Sequence, residues 1–368
     1  MKFSCEKTLL QTAIQVTSRA VAQKSSIPAL EGLLLQVDSQ VVISGYNMNT
    51  GIRSTLDANV TEGGELVLNA RLFSEMIRKM PDDIISFHTN QNNVVFLSCG
   101  DAAFQISAMS AAEYPQLPSI EEESSISIAQ NTLSSMIEDT SFAVSTNESR
   151  PIHTGALFEI ANNTLTMVAV DGFRLALRKE KIDEPFVFSF VAPGSALNEV
   201  QKICTDTDEK VSIILGKHHI LFTINQTELI CRRLEGEFLD YKNAIPRKNP
   251  ILLSVNAKQL MNSIDLVSVV ISEKLKSPVR CLFDDGFVRL SAKTGNGESK
   301  DVCQLHGNGN GLEIGFNNRY LMEALRHAPA DEVNIELNTG ISPAIIVPID
   351  ENDNFLYMVL PVRLKGSD

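Results

Sequence analysis

The sequence predicts an α+β fold of three tandem domains, each made of two βαβββ-like halves. Three observations predict it. A unit of strand, helix and strand meander starts again roughly every 120–125 residues, a spacing that suits whole domains rather than a solenoid repeat. A second copy of the unit lies inside each third. With 368 residues, 43% hydrophobic and 21% charged, the chain is long enough for two or three separate cores.

In the first third, Met1–Cys5 predicts a strand and is followed by a helix with apolar positions Leu9, Leu10, Ile14 and Val16. Strands over Gly32–Val37 and Val41–Gly45 come next. Leu66–Ala70 then opens the second copy, whose helix carries Leu72, Phe73, Met76 and Ile77.

The middle third shows the unit most plainly. Ile126–Ile128 alternates, Asn131 is a candidate N-cap, and Leu133, Met136, Ile137, Phe142 and Ala143 follow at helical spacing. Gly155–Ile160 and Thr164–Val170 predict two strands about an Asn162-Asn163 turn, where residues tolerant of positive φ are needed. Asp171-Gly172 predicts a second turn into a strand at Phe173–Leu177. Phe188–Val191 then leads a helix with Ala196, Leu197, Val200 and Ile203.

In the last third, Leu252–Asn256 precedes a helix with Leu260, Met261, Ile264 and Leu266, and strands follow at Val279–Phe283 and Phe287–Leu290. Leu312–Asn317 opens the sixth copy, with Tyr320, Leu321, Ala324 and Leu325 on its helix. An acidic link (Ser119–Ser125) and a proline-bracketed one (Pro246–Pro250) set domains at 1–120, 125–246 and 250–364. Each link follows an alternating strand and an aromatic loop, Ala112–Pro115 in one case and Glu237–Tyr241 in the other. The equivalent last strand of the third domain is expected at Phe355–Leu360, where the chain approaches its end.

The formal net charge of −13 argues against holding nucleic acid by simple electrostatic adhesion, which needs Lys and Arg against phosphates. Acidic residues crowd the turns and links, whereas Arg71, Arg78, Lys79, Lys202, Arg319 and Arg326 fall on helix faces away from the core. Six cysteines are scattered singly and read as buried, reduced thiols of a cytosolic protein, with no metal or disulfide pattern. No apolar run approaches the roughly 20 residues of a membrane span. Met1–Glu6 carries no signal-peptide h-region.

Motifs for phosphate cradles, dinucleotides, zinc proteases and serine hydrolases are absent, and no cofactor is implied. Gly307–Gly311 is glycine-rich but precedes a strand, so a flexible turn is expected. His218-His219 falls in a hairpin turn, with the two side chains on opposite faces. A hydrolase or transferase using Asp171 with a nearby histidine such as His153 is the alternative reading, but without a partner base the turn reading of Asp171-Gly172 wins. Apolar residues also gather at Val170 and Phe173–Leu175, at Leu239 with Ala244, and at Met358–Leu364, to be buried or offered to a partner.

Met1-Lys2-Phe3, Ile27-Pro28-Ala29-Leu30 with Gly32–Leu35, Ala169–Ala176, Glu237–Tyr241 and Leu360–Leu364 carry a resemblance over essentially the whole length. In this order and spacing the chain resembles the bacterial DNA polymerase III beta subunit, the replicative sliding clamp. The resemblance implies a clamp fold in a head-to-tail homodimeric ring around duplex DNA, with helices lining the inside and sheets outside. It implies no catalytic site, metal, cofactor or membrane contact. The expected partners are double-stranded DNA, the DNA polymerase III alpha subunit, the clamp loader, and other polymerases and repair proteins. Topology, not adhesion, would hold the DNA, which reconciles the acidic charge with a DNA-binding role.

DNA-facing candidates are then Lys24, Arg71, Arg78, Lys79, Arg150, Lys202, Lys274, Arg319 and Arg326. The resemblance places a partner-peptide pocket between the second and third domains. Its positions here are His153, Val170, Gly172, Phe173, Arg174, Leu175, Leu239, Asn243, Ala244, Ile341, Pro343, Met358, Leu360, Pro361, Val362, Arg363 and Leu364. Val170, Phe173, Leu239 and Asn243 depart from the residues usual in the family, threonine, histidine, proline and arginine. Lys365–Asp368 extends past the usual final leucine. Phe104 and Ile106 on a first-domain edge strand, with Val269, Val270 and Ile271 at a third-domain helix end, are the expected dimer contacts.

Overall fold

A computed structural model of the chain describes residues 1–183, 187–271, 277–350 and 354–364. The first half-domain comprises β1 (Lys2–Glu6), α1 (Lys7–Thr17), β2 (Gly32–Val37), β3 (Val41–Tyr46) and β4 (Thr50–Leu56). The second holds β5 (Asn59–Glu62), β6 (Gly64–Asn69), α2 (Ala70–Lys79), β7 (Ile84–Thr89), β8 (Val94–Cys99) and β9 (Ala102–Ser107). The third holds β10 (Ser124–Ala129), α3 (Gln130–Ser141), β11 (Gly155–Ala161), β12 (Thr164–Val170) and β13 (Arg174–Lys181). The fourth holds β14 (Phe188–Pro193), α4 (Gly194–Ile203), β15 (Lys210–Leu215), β16 (His219–Ile224) and β17 (Thr227–Arg232). After the short α5 (Tyr241–Ala244) come β18 (Ile251–Asn256), α6 (Ala257–Ser268), β19 (Val279–Thr294) and β20 (Gly297–Phe316). The last half closes with α7 (Asn318–Arg326), β21 (Glu332–Leu337), β22 (Ala344–Pro348) and β23 (Phe355–Val359).

The α+β fold is thus built of six related halves. The contacts gather them into two compact units, 1–133 with 198–233 and 134–197 with 234 onward. The sheets explain this grouping. In the first unit β17 pairs with β4, extending one sheet to eight strands in the order β10-β15-β16-β17-β4-β3-β2-β6. A separate five-stranded sheet, β5-β1-β7-β8-β9, completes that unit. In the second unit β13 pairs with β23, joining strands into a ten-stranded sheet, β14-β11-β12-β13-β23-β22-β21-β18-β20-β19.

Local chemistry sets the elements. Strands β6 and β18 end on an asparagine, and another follows β20; each caps the helix after it. Asn69 Oδ1 accepts from Leu72 N at 3.0 Å, Asn256 Oδ1 from Gln259 N at 3.0 Å, and Asn317 Oδ1 from Arg319 N at 3.0 Å. Asn162 and Asn163 both take positive φ, 52° and 58°, the geometry of a two-residue hairpin turn whose twist matches its strands. Phe3, Leu10, Ile14, Leu35, Ile43, Phe73, Ile77, Phe87 and Leu97 belong to one hydrophobic core of the first unit.

Several expectations shift. Leu9, Leu72 and Leu266 are exposed, because the apolar stripe passes through their neighbours Leu10, Phe73 and Val267. Helix α3 begins at Gln130, so Asn131 lies in its first turn; the buried Gln130 side chain accepts from Thr205 N and Oγ1 and donates to Asn225 Oδ1. Phe142 and Ala143 lie past the helix end. Gly307–Gly311 is not a separate turn but part of β20, where a Cβ at Gly309 would come within 2.4 Å of Phe283. Five of the six cysteines are buried and Cys204 is half-buried; burial pushes Cys5, Cys231 and Cys281 up to about 12 and Cys204 up to about 11. Among the described residues no helix is long and apolar enough to cross a membrane, and no acidic, His or Cys cluster could hold a metal.

Candidate docking site

The site grows from the β12–β13 hairpin. Asp171 Oδ1 accepts from Phe173 N at 2.9 Å and Arg174 N at 3.1 Å, and Gly172 takes φ +88°, a conformation that favours glycine. This tight turn pushes the Phe173 ring outward, leaving it 58% exposed. The chain leaving β23 is laid along the turn by Leu360 N donating to Phe173 O at 2.9 Å.

Strand alternation then sets the floor. Val170, Leu175 and Met358 fall on one sheet face and are buried in a cluster with Val168, Leu177, Tyr241 and Ile345. Leu175 sits opposite both Val170 and Met358 in register. Of the other expected pocket positions, Phe173, Leu239 and Ile341 are exposed, as are Gly172, Asn243 and Ala244, and Pro343 is half-buried. Leu360, Pro361, Val362 and Leu364 are half-buried and Arg363 is exposed. Val362 N donates to Gly315 O at 2.8 Å, and a Cβ at Gly315 would meet Leu364 Cδ2 at 2.5 Å, so the terminal segment packs where only glycine admits it.

A buried cation organises one wall. Arg174 Nε donates to Asp171 Oδ2 at 2.9 Å and the guanidinium also pairs with Glu323. It lies 4.6 Å from the Tyr320 ring centroid and 5.3 Å from that of Phe142, while Phe173 stacks on Tyr320 at 5.9 Å. Burial pulls the Glu323 carboxyl up, yet hydrogen bonds from Arg174 and Arg319 outweigh it and hold the group below its ordinary value. Tyr320, Glu323 and Phe142 were not expected from the sequence; Phe142 follows α3 and the other two lie on α7, far from the hairpin along the chain.

Asp171 therefore anchors a turn and an arginine, with both oxygens engaged, and is no general base. His153 stands edge-on to Phe238 at 5.5 Å, and its pKa is lowered first by burial and then by Arg150. The hydrolase reading finds no constellation here. Beyond Tyr241, a cavity of about 670 Å³ is lined by Glu159, Thr166, Leu177, Lys242 and Leu356 among others. Tyr241 Oη donates to Glu159 Oε2 at 2.5 Å across it. Asn243 Nδ2 is tied back to Asp240 Oδ2 at 2.6 Å.

Of the cationic candidates, Lys24, Arg71, Arg78, Lys79, Arg150, Lys202, Arg319 and Arg326 are all exposed, and Lys274 lies outside the described residues. Arg78, Lys202 and Arg319 pair with Glu75, Glu199 and Glu323 on their own helices. The interface candidates divide. Ile106 is buried in its own core and Phe104 packs partly against it, while Val269 is 83% exposed and Val270 and Ile271 are half-buried.

Three family models match in succession: the DNA polymerase III beta subunit N-terminal domain over residues 1–118, the central domain over 127–240 and the C-terminal domain over 242–363. The beta sliding clamp of Staphylococcus epidermidis is 29% identical over 375 residues, covering 99% of each chain, and that of Staphylococcus aureus is 28% identical with the same coverage. Among solved structures, the DNA polymerase sliding clamp of Bacillus subtilis superposes with TM-score 0.94 at 29% identity over 99% of this chain and 100% of that one. The beta subunit of Pseudomonas aeruginosa gives 0.94 at 27% identity, with the same coverage.

Proposed function

This chain belongs to the DNA polymerase III beta-subunit family and is a sliding clamp, a processivity factor rather than a catalyst; from that premise we propose how its surfaces are used. Two copies close head to tail into a ring around duplex DNA, and the apolar pocket about Val170, Leu175 and Met358 docks linear peptides of the polymerase and the clamp loader. Domain boundaries near 120 and 250 fit this reading, being the links between successive clamp modules.

The observation that supports closure is a pattern of strand ends. The last strand of each half tends to pair with the last strand of another: β4 with β17 and β13 with β23. β9 ends its five-stranded sheet, and the Gly297–Gln304 stretch of β20 pairs along its length with β19. These are the halves left over, and joining β9 of one copy to this stretch of the other removes two bare edges. The exposed Val269 and neighbouring Val270 and Ile271 flank that junction. Exposed cations on the helices face phosphates weakly enough to permit sliding.

Burying aliphatic or aromatic anchors in the pocket contributes roughly 1.5–3 kcal/mol per side chain. Protein loaded on nicked circular DNA should remain bound through high salt and be released when the circle is cut. Equal release from circular and linear DNA would reject the ring.

A further inference from the structure

The turn that shapes the docking pocket has a twin in the first unit. Tyr46 faces Gly51 and Gly51 faces Ile230 in register, as Val170 faces Leu175 and Leu175 faces Met358. Asn47 Oδ1 accepts from Asn49 N at 3.0 Å and Thr50 N at 2.8 Å, the pattern Asp171 makes with Phe173 and Arg174. Met48 takes φ +73° where Gly172 takes +88°. Arg232 N donates to Asn49 O at 3.3 Å where Leu360 N donates to Phe173 O. The two scaffolds correspond residue by residue.

Their occupancy differs. Tyr114 and Tyr241 are both buried anchors of the segment that crosses the sheet. Tyr241 opens the helical turn α5, Phe238 and Ile245 pack against the Val170–Leu175–Met358 cluster, and Ala244 stands exposed. After Tyr114, Pro115 and Pro118 hold their preceding residues extended, and Leu117 descends onto the floor. A Cβ at Gly51 would stand 2.9 Å from Leu117 Cδ2 and 3.1 Å from Ile230 Cγ2. Gly51 thus clears the space that a branched aliphatic side chain fills. A cavity of about 460 Å³ continues beside it, lined by Leu34, Ser44, Arg53, Tyr114 and Leu117 among others.

We propose that the Tyr46–Gly51–Ile230 floor is a second peptide-docking groove, kept closed by Leu117 of the chain's own linker. Its ligand class is an extended peptide presenting a leucine-like side chain, and Leu117 is its resident occupant. The proposal rests on the docking reading of the Val170–Leu175–Met358 pocket only for the analogy of the two scaffolds.

The probe is a fluorescein-labelled peptide of the linker itself, Ala112–Ile120, titrated against the intact protein. The unaltered chain should bind one equivalent, lost in Leu360→Glu. Leu117→Ala should bind two, and Leu117→Ala with Leu360→Glu should bind one. If Leu117→Ala stays at one equivalent while folded by circular dichroism, or the double variant binds none, the second groove does not exist. If the unaltered chain binds none and Leu117→Ala binds one, the open-pocket reading fails and the closed groove stands.

Discussion

Arg174 is the residue on which the proposed docking wall turns. It is 7% exposed, pairs with two carboxylates and supports the Tyr320 ring against which Phe173 rests. Arg174→Ala should destabilise the second unit by about 2–4 kcal/mol, since it strands partly buried charges, and should weaken peptide binding as Phe173 loses its backing. Chemical denaturation and anisotropy read the two effects separately. Asp139 offers a test with a definite sign. Burial, opposed by the neighbouring Arg178, pushes its carboxyl up from 3.8 to about 6. The folded protein therefore binds a proton more readily than the unfolded chain between those values, and this contribution to stability falls as pH rises through that window. The size is on the order of 1–3 kcal/mol. Glu323 and Glu159, both held low, contribute with the opposite slope, so the measurement is a comparison. Asp139→Asn should be more stable relative to the unaltered chain at pH 7 than at pH 4; an equal difference at both would refute the assignment.

Some elements were legible because local chemistry decided them. The Asn162-Asn163 turn and the two-residue alternation of β11 and β12 stand in the sequence because each rests on residues close together. The cap expected at Asn131, by contrast, falls inside its helix, and the caps at Asn69, Asn256 and Asn317 were missed. Replacing Asn162 and Asn163 by alanine should cost about 1–3 kcal/mol in unfolding free energy, as two non-glycine residues would hold positive φ without a side chain suited to it. What else stayed illegible depended on through-space partners. Leu72 and Phe73 are adjacent and equally apolar, so only packing tells which is core. Lys7, Thr17 and Gln130 are buried because a partner elsewhere takes their polar atoms, Asp82 for Lys7 and Ala13 O for Thr17. For the candidate docking site, the hairpin and terminal segment were readable as apolar clusters, but Tyr320 and Glu323 were not, lying nearly 150 residues beyond the hairpin. At the proposed dimer contacts, Val269→Asp replaces an exposed side chain and should leave folding intact while weakening association at least tenfold, about 1.4 kcal/mol. Sedimentation that shows no shift toward monomer would remove that helix end from the interface.

At the level of the whole molecule, duplication explains more than any single motif. Six halves share one scaffold, and the halves differ in what covers each sheet face: Leu117 beside Gly51 on one, Phe238 and Ile245 on its twin. The terminal segment cannot simply be deleted to probe docking, because Met358 and Val359 are rungs of the ten-stranded sheet. Leu360→Glu is the gentler choice; it should reduce polymerase stimulation more than tenfold in a primer-extension assay while the thermal midpoint stays within a few degrees. The condition of the sulfur atoms has a practical corollary. With every native thiol shielded or poorly ionised, a single cysteine introduced at an exposed position such as Lys24 or Ser107 would react with maleimide dyes against almost no background. Clamp opening and travel along DNA could then be followed by fluorescence without first stripping the chain of its own cysteines.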